Sequence, residues 1–405
     1  MTTASAGRTA APFPLFRLLV LAGAIFVSVS SEFLPTGLLP DIAADLDVSE
    51  SRVGLLVSVF AGTVALTSIP VTLLTRHVSR KGLLVITLGV FAVTNLAAAV
   101  APSYEALMAA RIVGGLAHGL FWAVAGPYTA LLVAPGQLAR AVSVTTGGGS
   151  LAFILGVPFT AAIGHALGWR LAFAVMAVII VVFTVLVVLA LPNLDHRVTL
   201  ATGEIELPYH RDRSLLAVGI IAISVYFVVS GHNTLYTYIA PWSISVADVP
   251  PDLVSAVLLA FGIAALGGVL IAGALGDRYP RLTVNGMTAA VVALLLLITL
   301  LGSTFAAVPL LVLWSLAFGG LPALFHARAL HGSSRRVRTI SGSIVTTAFN
   351  FAIATGALVG GGVLDGAGVA TIPWVAAAIV AAGLVVMLAT DRARIAAHPA
   401  EAHRG

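Results

Sequence analysis

The chain contains no cysteine. That one absence excludes disulfides, thiolate metal sites and cysteine nucleophiles. Charge is almost as scarce. Only 9% of residues are Asp, Glu, Lys or Arg, against 59% hydrophobic. A soluble core of 405 residues would need far more charge on its surface, so the composition places the chain in a membrane. Lys81 is the only lysine among 21 basic residues, and no glycine-rich phosphate loop precedes it. The chain therefore has no ATP-hydrolysing motif, and any work it does must draw on an existing gradient or a separate ATPase. The ten histidines show no metal-ligand spacing, so neither a metal nor a cofactor is expected. "GGGSL" (Gly147–Leu151) lacks the second glycine of a nucleophile elbow. Ser150 is accordingly not read as a nucleophile, and the chain is not expected to be an enzyme.

What is present is long apolar runs. A bilayer core needs about 20 apolar residues per helix. Twelve segments qualify: Phe16–Leu39, Val53–Leu74, Leu83–Val100, Ala106–Leu131, Ala141–Leu167, Leu171–Leu191, Leu215–Ala240, Leu253–Leu275, Leu282–Leu301, Ala306–Ala327, Ile340–Leu364 and Ile372–Leu388. The first is too long for a cleaved signal peptide and carries Glu32 and Pro35. With the N-terminus in the cytoplasm, all but three of the 21 basic residues fall on the inner side. The exceptions are Arg52 and Arg170 in outer loops and Arg111 inside a helix. The outer loops are acidic instead, with Asp41, Asp45, Asp47, Glu50, Glu105, Asp248 and Asp252. This asymmetry predicts a multi-pass membrane protein with both termini inside. One lysine against twenty arginines, with the richness in Ala and Val, suggests a high-GC bacterial genome and hence the bacterial cytoplasmic (inner) membrane. The sequence pI of about 10.0 then reflects inner loops beside anionic lipid, and no nucleic-acid partner is implied.

The longest polar stretch, "NLDHRVTLATGEIELPYHRDRS" (Asn193–Ser214), divides the chain. It predicts an N-terminal six-helix bundle over residues 1–192, a cytoplasmic linker over 193–213 and a C-terminal six-helix bundle over 214–405. The halves also resemble each other at a shift of 201 residues: "LPTGLLP" (Leu34–Pro40) meets "LYTYIAP" (Leu235–Pro241), and "VTT" at Val144–Thr146 meets "VTT" at Val345–Thr347. One ungapped offset across several helices predicts duplication and a pseudo-symmetric pair, with a ligand site at mid-membrane between the halves. At this offset Glu32 meets Asn233, Arg111 meets Val312 and His118 meets Gly319. The fold does not need these ionisable groups, because the sister half lacks them.

Several motifs carry a family resemblance. "GALGDRYPR" (Gly273–Arg281) resembles the Gly-x-x-x-Asp-Arg-x-x-Arg loop of the major facilitator superfamily. "RIVGGLAHG" (Arg111–Gly119) is similar to its fourth-helix motif, and "GVP" (Gly156–Pro158) to its antiporter motif. The stretch from Ser30 to Ser58 resembles the opening of the twelve-helix drug:proton antiporters, nearest the branch of arabinose/sugar efflux and chloramphenicol-resistance exporters. The resemblance implies an all-α membrane protein of twelve transmembrane helices in two pseudo-symmetric halves. It also implies a monomeric secondary transporter exchanging protons for a small drug-like molecule such as an amphenicol, or alternatively for a sugar, nucleoside or other metabolite. It assigns Asp277, Arg278, Arg281, Arg76, Arg80, Gly156 and Pro158 to conformational gating. The first copy of the loop, "TRHVSRK" (Thr75–Lys81), lacks the family's Asp, so charge pairing of that kind falls to Asp277.

A charge near the bilayer centre costs at least ~2.5–3.5 kcal/mol, so Glu32, Arg111 and His118 are expected to face a cavity or one another. Their depths match: Glu32 lies ~6 Å and Arg111 ~10 Å outward of their helix centres at 1.5 Å per residue. Glu32 is the expected proton-exchanging group, Arg111 its charge partner and His118 a relay. Arg111, His118 and Trp122 share a helix face. Tyr226, Ser230, His232, Asn233 and Tyr236 cluster in the seventh segment, with 226, 230 and 233 on one face and 232 and 236 on another. With Trp122, Trp314 and Asn350 they are the candidate substrate-binding residues, and interhelical hydrogen bonding is the competing role.

Overall fold

The computed structural model describes residues 13–75, 78–134, 137–193, 212–303, 305–334 and 337–397. Those residues form helices and connecting turns without a strand, as a bilayer demands, because each backbone group must then be satisfied within its own segment. Among the described residues, twelve helices are long and apolar enough to cross a membrane. They are α1 (Leu15–Gly37), α2 (Glu50–Ser68), α3 (Arg80–Ala99), α4 (Tyr104–Leu131), α5 (Arg140–Leu167), α6 (Trp169–Ala190), α7 (Ser214–Tyr236), α8 (Pro251–Gly276), α9 (Pro280–Leu301), α10 (Ala307–His331), α11 (Ser341–Ala367) and α12 (Val369–Asp391). Most of the linker expected at 193–213 lies outside the described residues, as does Arg76.

The ends of the helices follow local chemistry. Ser49, Ser79 and Ser103 cap the helices that follow them, accepting from the amides of Arg52, Gly82 and Ala106. Gly168 (φ 93°) and Gly368 (φ 83°) end α5 and α11 in the left-handed region that favours glycine. The duplication shows in the backbone. A short helix follows α1 (Leu39–Asp45) and another follows α7 (Ile239–Ser245). Each leads to an aspartate at φ 52°, Asp47 and Asp248, which sit 201 positions apart. Aspartate is among the few residues that tolerate this conformation.

Proline shapes the interior of the helices. Pro158 has no N–H and crowds the carbonyl four residues earlier, and the turn just before it, Ala152–Gly156, is π-helical. Pro322 breaks α10 in the same way after Gly319.

The two halves join at the end that carries the short helices, away from the termini. There α2 packs along α11, and α5 against α8. A Cβ on Gly262 of α8 would stand 2.5 Å from the Phe153 carbonyl oxygen of α5. One on Gly54 of α2 would stand 1.9 Å from the Tyr238 hydroxyl. Glycine is what lets the halves approach this closely. Near the other end of the C-terminal half, Asp391 holds α9, α10 and α12 together. It pairs with Arg328 and accepts from Asn285 Nδ2 at 2.9 Å.

Candidate functional site

Glu32, Arg111 and His118 do meet, and all three are buried. The expected side-chain pair of Glu32 with Arg111 is not what forms. Arg111 Nη1 donates to the Ser31 carbonyl oxygen at 2.8 Å and Nη2 to the Glu32 carbonyl oxygen at 2.6 Å. Pro35 supplies the physical reason. It sits inside α1 and has no N–H for the Ser31 carbonyl four residues earlier, so that acceptor needs another donor. The guanidinium fork spans both carbonyls, and its face lies 4.1 Å from the Phe60 ring centre.

The Glu32 carboxylate turns to histidine instead. Its Oε2 is 3.3 Å from His118 Nε2, and Oε1 is buried without a hydrogen-bond partner. His118 Nδ1 lies 3.0 Å from Ser28 Oγ, and Trp122 Nε1 donates to Nε2 at 2.7 Å. Phe60 and Phe91 hold the imidazole edge-on, with ring centres 5.2 and 5.8 Å away. Beneath it, Ser31 and Asn95 exchange hydrogen bonds between α1 and α3. Ser28 and Asn95 were not singled out from sequence. Ser28 stands one turn before Glu32 and so shares its face, a signal that was available.

The candidate ligand residues split into separate environments. His232 and Tyr236 enter an aromatic cluster. His232 stacks on Phe318 with ring centres 3.4 Å apart, and Trp314 and Tyr236 follow at 4.7 and 5.5 Å. Phe33 of α1 and Phe153 of α5 reach the Tyr236 ring from the other half, at 5.9 and 6.0 Å. His232 Nδ1 and Trp314 Nε1 are buried there without hydrogen-bond partners. Ser230 and Asn233 face α11: Ser230 Oγ lies 3.3 Å from Thr355 Oγ1, and the Asn233 side chain abuts Gly356. Tyr226 lies edge-on to its neighbour Phe227, and Asn350 bonds to Thr346 in its own helix, so neither joins the cluster. Trp122 belongs with His118 in the first half. Phe33, Phe153, Phe261 and Phe318 escaped the sequence reading because phenylalanine is ordinary in an apolar span.

The gating candidates are dispersed. Asp277, Arg278 and Arg281 are exposed, and among the described residues Asp277 forms no ion pair. Arg80 opens α3, half-buried. Gly156 packs on α1, where a Cβ would stand 1.9 Å from Ser30 Oγ, and Pro158 begins the last stretch of α5. Outside the membrane, Arg170 pairs with Asp45 and holds its carboxyl below the usual range by hydrogen bonding.

The site thus comprises a buried ionisable cluster in one half and an aromatic cluster that bridges both, on twelve membrane-length helices. The Major Facilitator Superfamily pattern matches residues 21–343, and the chain belongs to that family. It is 30% identical over 376 residues to a "Probable sugar efflux transporter" of Mannheimia succiniciproducens, covering 91% of this chain and 92% of the relative. A protein of the same description from Helicobacter pylori is 30% identical over 370 residues, covering 91% and 93%. Among solved structures, a D-xylose-proton symporter superposes with a TM-score of 0.74 at 17% identity, covering 93% of this chain and 97% of that one. A bacterial homologue of the lysosomal transporter Spinster, inward-facing and occupied, gives 0.74 at 13%, covering 93% and 96%. These two likenesses concern the fold.

Proposed function

We propose that the chain exports a sugar or a similar small polar metabolite across the bacterial cytoplasmic membrane in exchange for protons. The observation that carries this reading is the Glu32 carboxylate, buried 3.3 Å from His118 in the first half, where the sister half has Asn233. A carboxylate held at such a cost is a functional group before it is a structural one. The sugar takes precedence over the drug-like ligand expected from sequence, because full-length relatives at 30% identity carry sugar efflux in their names. In this reading the termini are cytoplasmic, a monomer suffices, and residues 193–213 join two bundles that rock about a ligand held between them. The chain works as a transporter and not as an enzyme. The Tyr236 cluster suits the ligand: aromatic faces pack on the apolar side of a sugar ring, and His232 Nδ1 and Trp314 Nε1 stand ready for hydroxyls.

The test uses everted membrane vesicles with an imposed pH gradient, a panel of sugars, and amphenicols as the contrasting class. A sugar is expected to dissipate the gradient in wild type and to leave it intact with Glu32→Gln. Equal responses in wild type and Glu32→Gln would remove Glu32 from coupling. A response to amphenicols with none to any sugar would return the drug reading to first place.

A further inference from the structure

His118 Nε2 is a contested atom. Trp122 Nε1 lies 2.7 Å from it and Glu32 Oε2 lies 3.3 Å from it. An indole N–H can only donate, so Nε2 must be offering its lone pair, and the ring proton sits on Nδ1. Ser28 Oγ, 3.0 Å away, then accepts from Nδ1–H. A ring nitrogen has a single in-plane lone pair. It serves Trp122 well only while Glu32 makes no claim on it.

We propose that Trp122 reads the proton: its indole N–H holds His118 Nε2 when the Glu32–His118 pair is unprotonated, and is released when a proton arrives. This rests on the reading of Glu32 and His118 as the proton-handling pair. An ionised Glu32 carboxylate has no hydrogen to offer, and Trp122 is uncontested. A proton added to Oε2 gives an O–H that competes for the same lone pair. If that proton crosses, the Oε2–H bond breaks and an Nε2–H bond forms. The products are a carboxylate and an imidazolium, and the new N–H donates back to Oε2. In both protonated states the indole loses its acceptor.

The surroundings decide which partner moves. Phe60 of α2 and Phe91 of α3 pin the imidazole, which is fully buried, and Ser28 of α1 holds its far nitrogen. Trp122 is only half-buried, with Phe121 and His118 as its ring neighbours. The charged groups facing this atom are Glu32 from α1 and Arg111 from α4 itself, and Arg111 is tied to the carbonyls of Ser31 and Glu32. α2 and α3 present Phe60, Phe91 and the neutral Asn95. So a proton on the pair becomes a displacement of an indole. Trp122 is a positioning residue that acts through His118.

The experiment is fluorine NMR of the full-length protein in lipid nanodiscs, with 5-fluorotryptophan at its five tryptophans. The Trp122 resonance is the one lost in Trp122→Phe. Should that variant not fold, substitution of Trp169, Trp242, Trp314 and Trp374 identifies it by elimination. The expected result is a Trp122 resonance that shifts as pH is lowered, with the shift lost in Glu32→Gln and in His118→Gln. Trp122→Phe is also expected to displace the pH profile of transport upward by about one unit, the size of one neutral hydrogen bond. A resonance that does not move with pH, or moves alike in wild type and Glu32→Gln, overturns the proposal. The spectrum needs no transported substrate. A failure here therefore leaves Glu32-dependent exchange standing, and a failure in vesicles is seen separately.

Discussion

Replacing Gly54 by alanine should open the joined end of the molecule. The added Cβ would stand 1.9 Å from the hydroxyl of Tyr238, closer than any real contact. Tyr238 cannot step aside cheaply. It is fully buried, its hydroxyl donates to the Ala357 carbonyl oxygen at 2.9 Å, and its ring lies against Gly360. Displacing it strands a buried acceptor, about 1–3 kcal/mol, and overpacks the contact by about 1–3 kcal/mol more. Gly54 belongs to the first half and Tyr238 to the second, so the cost falls on the joined arrangement and not on either bundle. At tenfold per 1.4 kcal/mol, the lower total of about 2 kcal/mol shifts the population roughly 30-fold toward separation. The cysteine-free chain lends itself to the assay. Ala44→Cys and Ser245→Cys occupy equivalent exposed positions on the two short helices. Spin labels there report the separation by pulsed electron resonance. Gly62→Ala is the control, since its Cβ would meet Ala354 at an ordinary 3.8 Å on the same α2–α11 contact. If Gly54→Ala leaves the distance distribution as narrow and short as in wild type or Gly62→Ala, the reasoning is wrong.

Other outcomes follow from the same geometry. Arg111→Ala should cost about 3–5 kcal/mol in thermal unfolding, and Arg111→Lys should not restore it, because one ammonium cannot fork across two carbonyls. Pro35→Ala returns an N–H to the Ser31 carbonyl, so Arg111→Ala should do about 1 kcal/mol less damage in that background; additive effects would refute the assigned partnership. At the surface, the Arg170 hydrogen bond holds the Asp45 carboxyl below the usual aspartate range, so the pair stabilises the fold above that range and stops doing so as the carboxylate protonates. Asp45→Asn should thus lower stability at neutral pH by at most about 1 kcal/mol, and the gap to wild type should close as the pH falls through the lowered Asp45 titration. A gap that stays constant down to acid pH would point to packing instead.

Much of the architecture was legible in the residues. Apolar runs long enough to cross a bilayer leave helices as the solution, and the 201-residue offset read from the sequence also relates Asp47 to Asp248, which share φ 52°. Glu32 stood out because a lone carboxylate in an apolar span is costly. Helical periodicity also separates two faces of α7: Ser230 and Asn233 turn toward α11, and His232 and Tyr236 toward the aromatic cluster, while Tyr226, expected beside Ser230 and Asn233, meets the ring of Phe227.

Partnership was decided elsewhere. The sequence carries Pro35 and hence a carbonyl in want of a donor, yet nothing local says that Arg111, some eighty positions away, supplies it. The same holds for Phe33 and Phe153 against Tyr236, and for the convergence of Trp122 and Glu32 on one nitrogen of His118. Periodicity specifies which face of a helix a side chain occupies, because that depends on the rise and turn of one segment alone. Which faces meet, at what depth and with which atoms in reach, depends on how helices far apart in the chain pack, and only the tertiary structure sets that.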